Sequence, residues 1–326
     1  MKLRVAIIYG GRSGEHEISL RSAQSIRQAL DPERYKIIEY FISQEGKWRP
    51  RPIVPEPHGN PEIDVVFPVL HGTFGEDGTM QGLLELADLA YVGPGVLASA
   101  VSMDKEVFKR VMRESGLPVV EAVTLHAGNL DAAAAMAALP FPMFVKPANL
   151  GSSVGISKVK KAGDLERALV EAARYDSKVV VERGIIGREF ECAVLGNLDP
   201  VASMPCEILP SREFYDYEDK YLLDAARIEL PAKLPGEQID AIQRLAVEAF
   251  HAADCEGMAR VDFLLEESTG KLYINEINTI PGFTSISMYP KMWEYSGIPY
   301  PKLLDRLIEL AIERHARRRS LQYTRA

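Results

Sequence analysis

The segment from Ala259 to Gly282, "ARVDFLLEESTGKLYINEINTIPG", holds the densest set of chemically capable residues in the chain. Two β-like runs flank "EESTG", the pattern of a hairpin with a longer loop. Side chains alternate faces along a strand, so Arg260 and Asp262 share a face, as do Glu276 and Asn278. An antiparallel register that pairs even-numbered residues brings all four together. One cation and three oxygen donors then crowd one patch, which a purely structural hairpin has no reason to assemble. Asp, Glu and Asn oxygens are hard ligands and suit Mg²⁺, above all Mg²⁺ that takes its remaining ligands from phosphate and water. The pattern points to a metal site on a nucleotide.

A second segment bears on the same chemistry. Lys146 to Gly155, "KPANLGSSVG", has the ingredients of a phosphate loop, but the lysine leads and the Gly/Ser run follows, the reverse of a Walker-type loop. Lys146 leaves the strand "FPMFV" where its ammonium can reach phosphate oxygens. Gly151, Ser152, Ser153 and Gly155 offer backbone N–H groups that can fold over phosphates as an anion-binding nest. Alone such a run is only a turn; beside the hairpin it reads as a lid over ATP.

The elements that must position these residues follow from the pattern. "LRVAIIYGG", "YKIIEYFI" and "DVVFPVL" read as strands, "EISLRSAQSIRQAL" as a helix, and "HGTFGEDGTMQGLLELA" restarts a helix. Strands alternating with helices predict a parallel α/β sheet in the first unit, residues 1–100. Residues 101–186 form an α+β unit with "FPMFVKP", "VGISKVK" and "KVVVERG" as strands and the Gly/Ser lid. Residues 187–326 form a second α+β unit with "EFECAVLGN", the helix "QIDAIQRLAVEAFHAA", the hairpin and a terminal helix.

Composition bounds the function. With 326 residues, 47% hydrophobic and 26% charged, the chain has an ordinary globular composition and room for two or three domains. A net charge of −8 disfavours nucleic acid, since counterion release needs a basic surface. The basic tail "ERHARRRSLQYTRA" ends an apolar-periodic run and reads as a solvated helix end with cations complementing the dipole. Cys192, Cys206 and Cys255 are odd in number and lack CxxC spacing, which argues against a disulfide framework or zinc site and fits a reducing cytoplasm. "MKLRVAIIYGG" is too brief for a signal segment and the Ala-rich "DAAAAMAALPFPMFV" is broken by prolines, so no membrane targeting is expected.

Five separated motifs now stand in order: "GGRSGEHEISL", "VKPANLGSSVGISKV", "EFYDYEDKY", "GMARVDFLLE" and "INEINTIPGFTSISMYP". In this order and over essentially the whole chain, the sequence resembles the D-alanine–D-alanine ligases of the ATP-grasp superfamily. The resemblance implies an ATP-grasp fold, α/β and α+β, preceded by a parallel α/β domain. It implies ligation of two D-alanines for peptidoglycan precursors through an acyl phosphate, with ATP, two Mg²⁺ ions or Mn²⁺ in their place, and a homodimer.

The same resemblance assigns roles. Glu15 holds the first D-alanine's ammonium and joins Ser152 and Tyr221 in a network. Arg260 and the Gly282 N–H stabilise the phosphoryl group and the oxyanion. Asp262, Glu276 and Asn278 hold the metals. Lys105, Lys146, Ser153 and Lys220 serve the phosphates. Glu182 and Ile185 serve the adenine region, Glu189 the ribose, and Phe214 belongs to the ATP site. His71 and Glu76 line the substrate pocket, while Ser287 and Met288 receive the second carboxylate; Met288 replaces the leucine common in relatives, a swap of similar volume. The polarity of residues 211–225 predicts a lid that keeps water from the acyl phosphate. A D-alanine–D-lactate ligase is the close alternative, disfavoured by Tyr221 after the lysine of "EDKY". A non-catalytic relative should have lost Arg260, a metal carboxylate or the lid serines, and all are present.

Overall fold

The computed structural model describes residues 2–151, 154–209 and 227–323. Ser152, Ser153, Phe214, Lys220 and Tyr221, and with them the expected lid at 211–225, lie outside the described residues.

The chain begins with β1 (Leu3–Gly10), α1 (His16–Ala29), β2 (Tyr35–Ile42), β3 (Trp48–Arg49), β4 (Val65–Val69), α2 (Thr79–Leu86) and β5 (Ala90–Tyr91). Their sheet runs β3-β2-β1-β4-β5, parallel except for the antiparallel edge strand β3. Along β1 the odd residues Val5 and Ile7 enter one core and the even residues Ala6 and Ile8 another. A strand buried on both faces reads as a continuous apolar run, which is why "VAII" looked as it did. Because β1 and β4 are neighbours, the loops after them meet at the carboxyl edge, where Ser13 Oγ donates to the His71 carbonyl at 2.6 Å. The expected helix at 71–87 starts only at Thr79. Residues 71–78 are loop instead, with Gly72 and Gly78 at φ +74° and +95°, outside helical space.

Two helices, α3 (Val96–Met103) and α4 (Lys105–Glu114), lead to the second sheet. Asp104 ends the first and caps the second, its carboxylate accepting from Glu106 N and Val107 N. The second sheet contains β6 (Ala122–His126), α5 (Ala132–Ala138), β7 (Met143–Pro147), β8 (Ser157–Val159), α6 (Leu165–Ala172) and β9 (Lys178–Arg183). It is antiparallel in the order β6-β9-β7-β8 and has a core of its own around Val145, Leu165, Leu169 and Val181.

The third sheet is built from β10 (Gly187–Gly196), β11 (Val201–Ala202), β12 (Cys206–Leu209), β13 (Arg227–Glu229), β14 (Gly257–Glu266) and β15 (Leu272–Asn278). Its path is β13-β12-β10-β14-β15, with β11 on β10. Helices α7 (Gly236–Ala252), α8 (Met288–Tyr295) and α9 (Tyr300–Arg319) complete the chain. Helices α8 and α9 share a core with the first sheet, where Phe283, Tyr289 and Leu304 meet Val5 and Phe67. The basic tail is correspondingly less free than a solvated helix end. Arg317 pairs with Glu256, Arg318 with Glu85 at 2.7 Å, and Arg319 with Asp88 at 3.5 Å.

Candidate active site

The hairpin forms as its sequence predicts, and its catalytic end has the even-numbered register: Arg260 opposes Asn278 and Asp262 opposes Glu276. Beyond that point the register shifts, so that Phe263 opposes Ile274 and Asn275 is an extra residue. The bulge has a purpose that packing makes clear. On a regular strand Ile274 and Glu276 would share a face; the bulge sends Ile274 into the apolar core with Val261 and Phe263, while Glu276 and Asn278 face the cleft.

Arg260 donates from Nε and Nη2 to both oxygens of Asp262, each at 2.7 Å, a bidentate fork. Its Nε also lies 3.3 Å from Glu191 of β10, a buried carboxylate directly across from Asp262. Burial alone would depress the guanidinium, but Asp262 and Glu191 hold its pKa well above the ordinary value. Sequence reasoning missed Glu191. Its signal was there: in "EFECAVLG" it is a charge at a strand position whose neighbours are core.

The hairpin opens onto a cleft. Glu15, His71, Glu76, Lys105, Gly282, Ser287 and Met288 line it together with Arg260, Glu276 and Asn278. Glu15 comes from the turn before α1, and its N–H donates to Ser13 Oγ at 3.2 Å. A β-carbon at Gly72 would sit 2.8 Å from Glu15 Oε2, so the glycine leaves room for that carboxylate. The same oxygen lies 3.5 Å from where a β-carbon would stand at Gly151, which puts Gly151 beside Glu15.

His71 is buried, and burial lowers its pKa. Its Nδ1 meets the Ile280 carbonyl at 3.0 Å, an acceptor only, so that nitrogen carries the proton. Its Nε2 then faces Ser22 Oγ at 3.4 Å, which in turn accepts from Phe283 N at 3.2 Å. His71 therefore braces the first unit against the 280–283 turn. Glu76 accepts from Gly72 N at 2.8 Å, and burial, then the charges of Glu15 and Glu276, push its carboxyl up to about 8.

On the 280s turn, Ser287 Oγ accepts from Thr284 N at 2.9 Å and contacts Thr284 Oγ1 at 2.8 Å. A β-carbon on Gly282 would fall 2.7 Å from Ser287 Oγ, so this residue must be glycine for the serine to hold its place.

Lys146, Glu182, Ile185, Glu189 and Asp262 do not line the cleft. Asp262 lies behind Arg260, buried. Lys146 on β7 binds Glu182 on β9 at 2.6 Å, and Lys109 on α4 binds the other carboxylate oxygen at 3.0 Å. Burial opposes ionisation of Glu182, yet the two lysines bring it down to about 2. Glu189 and Glu276 add to the field that raises Lys146. Lys109 was also missed, although it stands one helical turn after Lys105 in "DKEVFK". Lys105 itself donates to the Leu150 carbonyl at 2.5 Å, gripping the start of the Gly/Ser run.

Among the described residues no group of three or more His, Cys, Asp or Glu side chains is arranged as a metal cage. Mg²⁺ is commonly held by one or two carboxylates plus substrate phosphates. Asn278 donates from Nδ2 to Asp262 at 3.0 Å, turning its amide oxygen away from that carboxylate. Glu15, Glu76, Glu191 and Glu276 line the cleft against the cations Lys105 and Arg260. Glu276 and Asn278, the members of the expected metal-ligand set that face the cleft, are hard oxygen donors that fit a divalent cation, with Asp262 directly behind them.

A parallel α/β unit followed by two antiparallel sheets, with a carboxylate-rich cleft beside the hairpin, is the architecture of the ATP-grasp class. The D-ala D-ala ligase C-terminus family matches residues 111–309 and the D-ala D-ala ligase N-terminus family residues 4–57 and 50–94. The chain is 67% identical over 325 residues to a D-alanine–D-alanine ligase of Solibacter usitatus, covering 100% of both. The solved D-alanine–D-alanine ligase of Coxiella burnetii superposes with a TM-score of 0.86 at 41% identity, covering 98% of this chain and 96% of that one. The VanG D-Ala:D-Ser ligase of Enterococcus faecalis superposes with a TM-score of 0.87 at 35% identity, covering 95% and 100%. The chain belongs to the D-alanine–D-alanine ligase family.

Proposed function

We propose that this chain joins two D-alanines into D-alanyl-D-alanine at the expense of ATP, releasing ADP and phosphate, for peptidoglycan precursor synthesis. The observation that carries the reading is the meeting, in one cleft, of Glu15, Lys105, the hairpin's Arg260, Glu276 and Asn278, and the Gly282–Met288 turn.

Glu15 binds the ammonium of the first D-alanine, whose carboxylate attacks the γ-phosphorus of ATP. An acyl phosphate and ADP result. The amine of the second D-alanine, its carboxylate received by Ser287 and Met288, loses a proton and attacks the acyl carbon. The tetrahedral intermediate then expels phosphate. Arg260 is already fixed by Asp262 and Glu191, so its guanidinium meets developing negative charge without reorganising, and the Gly282 N–H is the partner donor. Lys105 and Lys146 serve the phosphates, Glu182 and Ile185 the adenine, Glu189 the ribose. Asp262, Glu276 and Asn278 would hold two Mg²⁺ ions, or Mn²⁺, which when bound neutralise phosphate charge. The roles assigned to Ser152, Ser153, Phe214, Lys220 and Tyr221 rest on the sequence resemblance.

We place the enzyme in the cytoplasm as a homodimer, also on the resemblance; light scattering at working concentration tests the assembly. Among the described residues no helix is long and apolar enough to cross a membrane.

The functional test is phosphate release with Mg²⁺-ATP and D-alanine, with D-lactate and D-serine added in parallel tubes and products identified by mass. Release dependent on D-alanine with the dipeptide as product is expected. A mixed product dominating the D-lactate or D-serine tube would reassign the second substrate, and no release in any tube would overturn the reading.

A further inference from the structure

Glu182 is clamped by two lysines of unequal freedom. Lys109 Nζ is 3.0 Å from Oε1 and its side chain is 1% exposed; Lys146 Nζ is 2.6 Å from Oε2 and its side chain is 13% exposed. Lys109 projects from the middle of α4, its ammonium also 3.5 Å from the Val120 carbonyl, and it has no route to solvent. Lys146, at the end of β7 just before the Gly/Ser run, is the more exposed of the pair.

The helix that carries Lys109 is itself held. Asp104 and Glu106 at its start bind Lys178 of β9 at 2.5 and 3.2 Å. Lys105 and Lys109, one turn apart on one face, thus reach the two walls of the nucleotide grip: the Leu150 carbonyl and the Glu182 carboxylate.

Two cations touch one buried carboxylate, more than its own charge requires, while the charges of Glu189 and Glu276 also act on Lys146. Burying an ammonium is costly, and a single lysine would satisfy Glu182. The excess has a use if one of the two lysines must leave. We propose that Lys109 is a positioning residue for nucleotide binding: it is the permanent counter-ion of Glu182, which lets Lys146 exchange the carboxylate for an anionic oxygen of ATP without stranding a buried charge. This rests on the proposed use of ATP. The charged groups around the exchange are Lys109 and Arg113 from α4, Lys146 from β7, Glu189 from β10 and Glu276 from β15.

Without Lys109, movement of Lys146 would leave Glu182 with no cation. The carboxylate would have to take up a proton as nucleotide binds. Lys109→Met should therefore raise the KM for ATP about ten-fold or more while leaving the KM for D-alanine near wild type. Calorimetric titration with ADP and Mg²⁺ in buffers of different ionisation enthalpy should show proton uptake in Lys109→Met beyond any seen in the wild type.

Lys109→Arg keeps the charge and should restore much of the affinity. Adding Lys109→Met to Glu182→Gln should cost little more than Glu182→Gln alone, because the carboxylate through which Lys109 acts is gone. Circular dichroism verifies that each variant folds; a misfolded Lys109→Met leaves the decision to the Arg variant and the Glu182→Gln pair. Unchanged ATP affinity with no extra proton uptake in Lys109→Met would overturn the inference. So would an undiminished effect of Lys109→Met in the Glu182→Gln background. Failure of the wild type to bind ADP at all would instead remove the proposed function.

Discussion

At the scale of single residues, the catalytic proposal depends on how Arg260 is held. Its fork is matched by Asp262 and steadied by Glu191, a geometry that lysine lacks because an ammonium is a point charge on a flexible stem. Arg260→Lys should keep both buried carboxylates neutralised, and so fold, yet lose on the order of 100-fold in kcat, the scale of a lost oxyanion donor. Phosphate release at saturating substrates reads this directly, and near-full kcat would show that charge alone suffices. Glu76 offers a second residue-scale test. Its folded-state pKa is raised to about 8. A raised carboxylate contributes stability below its unfolded pKa and loses it as pH climbs through the folded value. Urea unfolding across that window should show wild-type stability falling relative to Glu76→Gln, with the gap opening between the ordinary carboxylate range and about 8. Parallel curves for the two proteins would show that Glu76 is not perturbed.

At the scale of elements, the 280s turn makes a separable prediction. Gly282→Ala would press a β-carbon to 2.7 Å from Ser287 Oγ, but a serine hydroxyl can rotate, so the cost in stability should stay within about 1.5 kcal/mol. What rotates away is the group proposed to receive the second carboxylate. The KM for the second D-alanine should rise while the melting temperature barely moves; a large fall in melting temperature with unchanged KM would assign the glycine to folding instead. The hairpin also shows how far sequence carries. Arg260, Asp262, Glu276 and Asn278 were legible because parity along two strands is local information. The bulge at Asn275 was not, since it answers the competing demand of Ile274 for the core, which only the packed sheet reveals. Glu191 and Lys109 escaped because the partner of each is distant in sequence; Glu191 sits in an otherwise apolar strand and Lys109 among the many charges of its helix. The loop at 71–78 was misread as helix because its glycines at positive φ yield to contacts with the loop after β1.

At the scale of the whole molecule, the cleft exists because the first sheet and the hairpin are fixed to each other from behind. Helix α9 does this although it is remote from both in sequence. Arg314, 3% exposed, donates to the carbonyls of Gly93 and Tyr91, the latter at 3.0 Å, and its guanidinium lies 4.2 Å from the centre of the Tyr91 ring. Gly93 in turn packs beside Met258 and the Thr279 carbonyl, at the two strands of the hairpin. Arg314→Met preserves length and apolar bulk but leaves two buried carbonyls without donors. The expected cost is about 3 kcal/mol, from the unsatisfied acceptors together with the lost stacking. Denaturant midpoints measure it, with an unchanged slope showing that compactness is kept. The functional consequence should be directional. Glu15 stands in the turn between β1 and α1 and Arg260 in the hairpin, so loosening one against the other should spread the proposed site of the first D-alanine. The proposed nucleotide grip of Lys146, Glu182 and Lys109 lies on other elements and should be spared. A raised KM for D-alanine with an unchanged KM for ATP is the expected signature; equal effects on both would mean that α9 supports the fold as a whole and does not set the separation of the two substrate walls.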